Sequence, residues 1–541
     1  MNDSPDRALR EARSGYDWEP SYVSRRSPIF ARNVVATSQP LATQAGIAAL
    51  RAGGNALDAA LATAIALTVV EPCSNGLGSD LFAIVWDGRE LAGLNASGRA
   101  PAAWTPERFA PAAEMPRAGW NTVTIPGAVS AWVALSERYG KLPFAELFAS
   151  AIAYARDGYA VSPIVAGKWA KAVPVLGAVP GFAAHFLPRG RAPQAGELFA
   201  APAMAATLET IAATRGEAFY RGELAQKMVA HSQAHGGAHT LDDFASHTND
   251  WVTPLALDYR GTTVHELPPN GQGIAALIAL GIVEHFDLAA HPVDSAEVQH
   301  LEIEAMKLAF ADVYRYVGDS RTMQVTPAQM LDRGYLATRA RLIDRRRAQD
   351  FSHGTPPPAG TVYLTAADAS GMMVSLIQSN YMGFGSGIVV PGTGISLQNR
   401  GTGFSLQPGH PNRVGPGKRP FHTIIPGFAT REGTPYASFG VMGGPIQPQG
   451  HLQTLVRLID FRQQPQAALD APRWKVNAGL SLDLEPGVTA ELRDALAARG
   501  HRFASIADAY MDFGAGQFIV CTEDGYVAGS DWRRDGQAAG F

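Results

Sequence analysis

One threonine stands where the composition of the chain changes within a single residue. The segment GTPPPAG ends at Gly360, and TVYLTAADASGMMVSLIQSNYMGFGSG follows at once. Proline lacks a backbone N–H and its ring obstructs the helix, so the first segment is neither helix nor central strand. Thr361–Ala367 and Met372–Ser379 are rich in Val, Thr, Ile and Tyr, and the Asp368-Ala369-Ser370-Gly371 between them is a turn signal. The pattern predicts a β-hairpin whose first strand opens on Thr361. A threonine hydroxyl is a weak nucleophile, but if the chain is cut before it, the freed α-amine can take the hydroxyl proton. That amine has an ordinary pKa of about 8, so one residue supplies nucleophile and base. Spacing alone favours the plainer reading, a β-branched residue opening an ordinary strand.

Other residues offer chemistry of lesser specificity. Met442-Gly443-Gly444-Pro445 precedes a helical run, and backbone N–H groups without side chains can hold an oxyanion, though a Gly-Gly pair is otherwise only a turn. Arg99 lies in a loop after a strand; its planar guanidinium suits a bidentate carboxylate, while a loop arginine by itself reads as solvated. His231, His235 and His239 invite a metal reading. Gly236-Gly237 breaks the helix before the third and no carboxylate completes the set, so they read as a solvated helix end and no metal is assigned. The Gly-x-Ser-x-Gly elbow of Ser-His-Asp hydrolases does not occur in the chain.

The elements that must position these residues follow from periodicity. A strand is expected at Val34–Thr37, then a helix carrying Leu41, Ala45 and Ala48 that stops at Gly53-Gly54, then a second helix capped by Asn55 and packed through Leu57, Leu61 and Ile65. Leu81–Trp86 and Glu90–Leu94 read as paired strands, a further strand precedes Pro126-Gly127, and amphipathic helices flank Gly140–Pro143. Residues Ile164 to Asp250 are mostly helical. Two strands, a Pro-Pro-Asn-Gly-Gln-Gly loop, a helix through Ile274, Leu277 and Leu280, and the long helix His300–Tyr316 lead to a basic, solvated stretch at Arg339–Arg347.

With 541 residues, 46% hydrophobic and 17% charged, and a net charge of −4, the chain reads as a soluble globular protein with ample core. No basic field invites nucleic acid and no run spans a membrane. The first forty residues lack the apolar core of a secretory signal, so a cytoplasmic location is expected. Cys73 and Cys521 imply no disulfide framework and are expected to be buried.

Thr361, the turn Asp368–Gly371, Val374-Ser375 and Phe384-Gly385-Ser386-Gly387-Ile388 resemble the start of the small subunit in the γ-glutamyltranspeptidase family, N-terminal-nucleophile (Ntn) hydrolases whose precursor cleaves itself before a threonine. The block QPLATQAG…LRAGGNALDAALATAIAL…EP…GLGSD resembles the family's N-terminal block, and Ile125-Pro126-Gly127, the Phe-Tyr-x-Gly element at Phe219, Asp470–Trp474 and the closing SDWRRDGQAAG match further landmarks, so the likeness covers about residues 34 to 541. It implies an α+β fold, a four-layer αββα sandwich, with an arm at 1–33, a large subunit at 34–360 and a small subunit at 361–541 forming one catalytic unit. It also implies Thr361 as nucleophile, Ser379 supporting it, Gly443 and Gly444 as oxyanion hole, and Arg99 on the substrate carboxylate. No cofactor is implied. The partners implied are a small amide with a carboxylate, the other subunit of the same precursor and a possible homodimer.

The family pattern is altered where substrate is read. The supporting Thr falls at Ser379, an Asn becomes Tyr381, a Gln becomes Arg400, the Asp that grips an α-ammonium becomes Gly403, and a Ser-Ser pair becomes His422-Thr423. Loss of that Asp with gain of an Arg turns a zwitterion site toward an anion site. The pattern is similar to the glutathione hydrolase-like branch near oxamate amidohydrolases and glutaryl-cephalosporin acylases. The expected activity is cleavage, with possible transfer, of an anionic acyl group such as γ-glutamyl; the alternatives are an oxamate-type or glutaryl-cephalosporin-type acylase, and an uncut, non-catalytic binding protein.

Overall fold

A computed structural model describes residues 26–110, 112–351, 360–504 and 513–541. The predicted hairpin forms: Gly360–Ala367 pairs antiparallel with Met373–Tyr381, closed by Gly371 N–H on the Asp368 carbonyl at 3.0 Å. It lies in the middle of a seven-stranded sheet in the order Gln537–Gly540, Val34–Thr37, Gly360–Ala367, Met373–Tyr381, Asp80–Trp86, Leu91–Ala96, Asp250–Val252. A second seven-stranded sheet runs Ile29–Ala31, Gly525–Ser530, Ala515–Thr522, Thr434–Met442, Gly427–Arg431, Thr262–Glu266, Leu255–Tyr259. Each sheet draws strands from both sides of Gly360.

Strand alternation builds the layers. Val362, Leu364 and Ala366 join one core with Leu57, Leu61 and Ile65 of the helix Ala56–Val70. Tyr363 and Ala367 point the other way, into an inter-sheet core with Phe82, Ile377, Phe428, Met442 and Ile519. The second sheet's outer face, through Ala437, Phe439 and Phe518, packs on the helices Ile274–Val283, Ala296–Tyr316 and Ile446–Ile459. The order helix, sheet, sheet, helix is the αββα sandwich.

Local signals explain the frame. Asn55 caps its helix through a capping box with Asp58, and its neighbours are alanines because the helix is buried on all sides. Three expectations are corrected. Residues 123–126 form no strand; Gly127 instead donates its N–H to the Ser79 carbonyl at 3.1 Å, which leaves that stretch a cap to the following helix. Within the expected arm, Ile29–Ala31 is an edge strand paired with Gly525–Ser530, while residues 1–25 lie outside the described residues. Cys73 is buried, but Cys521 is only partly so. Among the described residues no helix is long and apolar enough to cross a membrane.

The two sheets touch most closely where the Tyr363 ring lies on Gly440: a Cβ there would meet the ring at 2.4 Å. Gly440→Val is therefore expected to lower stability by about 1–3 kcal/mol through overpacking, read as a drop in the urea midpoint with the m-value unchanged.

Candidate active site

The stacking of the sheets decides where Thr361 sits. Tyr363 lies over Gly440, and the Thr365 and Ser438 hydroxyls are hydrogen-bonded across the layer. These rungs run in opposite directions in steps of two, so the next rung sets Thr361 over Met442, the residue before Gly443. Thr361 itself is 2% exposed.

Pairing in the hairpin is irregular at this point. Gly360 faces Tyr381 while Val362 faces Gln378, so Ser379 and Asn380 together oppose Thr361 in a β-bulge. Ser379 Oγ lies 3.0 Å from Thr361 Oγ1, donates to the carbonyl of Gly360 at 2.7 Å, and accepts from Tyr381 N–H at 2.9 Å. A serine hydroxyl has one proton. With that proton on Gly360 O, Thr361 is the donor to Ser379. The hydroxyl of Ser379 thus touches both the nucleophile and the carbonyl of the Gly360–Thr361 bond.

Gly443 and Gly444 form the turn between the strand Thr434–Met442 and the helix Ile446–Ile459, with φ of 126° and 75°, a region that side-chain-bearing residues avoid. The Gly444 carbonyl accepts from Gln447 N–H at 3.1 Å and from Gln272 Nε2 at 2.9 Å.

Next to the bulge lies a group of buried polar residues. Arg400 is 1% exposed, donates Nη1 to Thr423 Oγ1 at 2.9 Å and has its guanidinium 4.8 Å from the centre of the Tyr381 ring. Its Nε and Nη2 have no hydrogen-bond partner among the described residues. Burial lowers its pKa to about 10, against the opposing pull of Asp80. Tyr381 lines a cavity of about 190 Å³ together with Tyr314, Val317, Thr402, Gly403 and Phe421. At Gly403 a Cβ would lie 2.8 Å from the Phe421 carbonyl, so the backbone there leaves no room for an acidic side chain.

Sequence reasoning missed Asp80, the residue paired with Ser379 in the neighbouring strand. One carboxylate oxygen accepts from Gly98 and Gly127 N–H at 3.2 and 3.1 Å; the other meets His422 Nε2 at 3.1 Å. Ile424 N–H approaches His422 Nδ1 at 3.4 Å, which makes Nε2 the protonated nitrogen. Burial holds His422 neutral, and burial raises Asp80 to about 6 although Arg400 pulls the other way. The only prior sign of Asp80 was an acidic residue at the mouth of an apolar strand.

Arg99 stands apart from this group in one respect. It is half-buried and already near two carboxylates, Asp250 at 3.6 Å and Asp319 at 3.8 Å, which it shares with Arg419 and Arg321. The three histidines also differ from expectation. His239 is buried, with Nδ1 on Ser232 Oγ and Nε2 on the Val123 carbonyl, each at 2.8 Å, so it braces the helix end instead of facing solvent. Elsewhere His300, Glu304 and His501 converge, but the imidazoles are bonded to each other at 2.8 Å and Lys307 Nζ occupies Glu304 at 2.7 Å, a closed set with its own internal cation.

Comparison with known proteins agrees with this geometry. The family model described as Gamma-glutamyltranspeptidase matches residues 42–541. The chain belongs to the gamma-glutamyltranspeptidase family. As a member it is an Ntn hydrolase acting on amide bonds. It is 35% identical over 525 residues to a "Glutathione hydrolase-like YwrD proenzyme" of Bacillus subtilis, covering 95% of this chain and all of that one. It is 37% identical over 519 residues to an "Oxamate amidohydrolase proenzyme" of Klebsiella pneumoniae, covering 93% and 97%. A crystal structure of a cephalosporin acylase from Bacillus halodurans superposes with a TM-score of 0.92 at 48% identity, covering 97% of this chain and 99% of that one.

Ser379→Ala removes the donor to the Gly360 carbonyl, and cleavage of the Gly360–Thr361 bond is expected to slow by about 10²–10³-fold, timed on denaturing gels. For Asp80 the folded-state pKa of about 6 exceeds the ordinary 3.8, so the stability it contributes is complete below the lower value and is lost as pH rises through about 6. Unfolding midpoints of wild type minus Asp80→Asn are expected to fall between pH 4.5 and 7; a flat difference contradicts the assignment.

Proposed function

We propose that this protein is an autoprocessing N-terminal-threonine amidohydrolase whose acyl donor carries a carboxylate. The observation that carries the reading is Ser379 Oγ seated between Thr361 Oγ1 and the Gly360 carbonyl. In the precursor, Thr361 Oγ1 attacks the Gly360 carbonyl carbon, the proton leaves through Ser379, and the peptide bond becomes an ester that water opens. The products are residues 1–360 and 361–541, held in one fold.

In the mature enzyme the α-amine of Thr361 takes the proton from its own hydroxyl as the oxygen attacks the substrate amide. Gly443 and Gly444 N–H groups carry the charge of the tetrahedral oxygen. The α-ammonium returns the proton to the departing amine, an acyl-ester remains on Thr361, and water releases the acid.

Two features favour an anionic donor over a zwitterionic one. The buried Arg400 retains two donors for a carboxylate, and position 403 has no space for the acid that an α-ammonium would need. Arg99, shared with Asp250 and Asp319, serves as a secondary anchor that a substrate reaches only by displacing those carboxylates. His422 and Thr423 shape the same wall, Thr423 by holding Arg400. Glutaryl and oxamate-type amides fit this arrangement better than γ-glutamyl amides; their names on relatives, an oxamate amidohydrolase and a cephalosporin acylase, point the same way.

A denaturing gel of wild type is expected to give two fragments and Thr361→Ala one; an intact, inactive wild type would leave a binding protein as the remaining reading. Arg400→Met is expected to raise KM for anionic donors by at least about tenfold, the loss of a charge-assisted pair, with kcat much less affected. Equal turnover of glutaryl and γ-glutamyl amides would overturn the preference.

A further inference from the structure

Gln272 sits in the Pro268-Pro269-Asn270-Gly271-Gln272-Gly273 loop, on the large-subunit side of the cleavage point, and is fully buried. Its Nε2 donates to two carbonyls that belong to different parts of the site, Thr423 at 2.7 Å and Gly444 at 2.9 Å, while its backbone N–H holds the His422 carbonyl at 2.9 Å. Flipping the amide would set its oxygen against both carbonyls, so the orientation is determined. Thr423 is the residue whose hydroxyl holds Arg400, and Gly444 belongs to the turn assigned to the oxyanion.

We propose that Gln272 is a specificity-determining positioning residue that sets the spacing between the carboxylate anchor and the oxyanion turn, and so selects the length of the acyl chain. This rests on the reading of Arg400 and Gly444 given above. A donor spans two fixed points, its carboxylate on Arg400 and its scissile carbonyl at the turn. One carboxamide ties both points together: Arg400 to Thr423 side chain, Thr423 carbonyl to Gln272, Gln272 to Gly444 carbonyl. Without that tie, the helix Ile446–Ile459 with its preceding turn and the segment carrying Thr423 are held by separate contacts and can adjust independently. Cleavage of the precursor does not need the tie, because its acyl group is covalently placed and its carbonyl is held by Ser379.

The test compares matured wild type with Gln272→Met, which keeps the volume and removes the donors, and with Gln272→Glu, which sets an anionic oxygen against both carbonyls. The donors are oxamate and the monoamides of malonic, succinic and glutaric acids. Wild type is expected to discriminate its best donor from neighbours by about tenfold or more in kcat/KM, the worth of a methylene in a fitted site, and both variants to flatten that ratio to about threefold while still self-cleaving. A common loss across all donors, with the ratios kept, would mean a merely structural role and overturn the proposal; so would unchanged ratios. Failure of both variants to self-cleave would also overturn it, since the tie would then serve the tethered carbonyl as well. Wild type that cleaves none of the donors refutes the underlying function instead.

Discussion

The extra residue in the pairing of the central hairpin governs the site. A regular ladder would put Ser379 directly across from Thr361 and continue; the bulge makes Ser379 and Asn380 share that one partner, and brings the Ser379 hydroxyl onto the carbonyl that precedes the nucleophile. The contact is within a buried layer of low dielectric, where an aimed hydroxyl polarises a carbonyl more than it would in water. The same irregularity lets Tyr381 adopt a φ of 78° and present its ring to Arg400. Nucleophile, supporting hydroxyl and anion anchor are thus consequences of one change of register, held in place by Tyr363 against Gly440.

Much of the fold is legible in the sequence where a single rule dominates. The Pro-rich stretch against a β-branched run located the hairpin, Gly53-Gly54 and Asn55 located a helix boundary, and alternation told which residues of Gly360–Ala367 face helices. The site was legible in its types and only partly in its roles. Thr361, Ser379, Arg400 and the Gly443-Gly444 turn are brought into one region by strand stacking, as their chemistry suggested. What was not legible depends on partners distant in sequence. Asp80 and Gln272 become parts of the site through contacts with His422, Thr423 and Gly444, hundreds of residues away for Asp80, and no local period marks them. Arg99 reads in sequence as a free guanidinium, yet Asp250 and Asp319 come to it from separate strands and loops. His239 reads as solvent-facing because its helix ends there, and is buried because Trp120 and Val123 cover it.

The polar wall around Arg400 shows how an anion site is kept ready without a ligand. Asp80 compensates the guanidinium, yet burial weakens its hold on a charge, and His422 is kept neutral so that it adds none. Leaving two donors of Arg400 unsatisfied costs stability in the free enzyme, which a bound carboxylate returns as affinity.

Because both sheets interleave strands from before and after Gly360, the nascent chain can assemble them only while it is continuous. Once the bond is cut, neither piece retains a complete sheet, and the loop closure that brought them together is no longer available. The covalent precursor is then a scaffold used a single time: heat or denaturant that separates the two pieces erases information the mature enzyme no longer carries, so its durability is a matter of how slowly it opens and not of how well it returns.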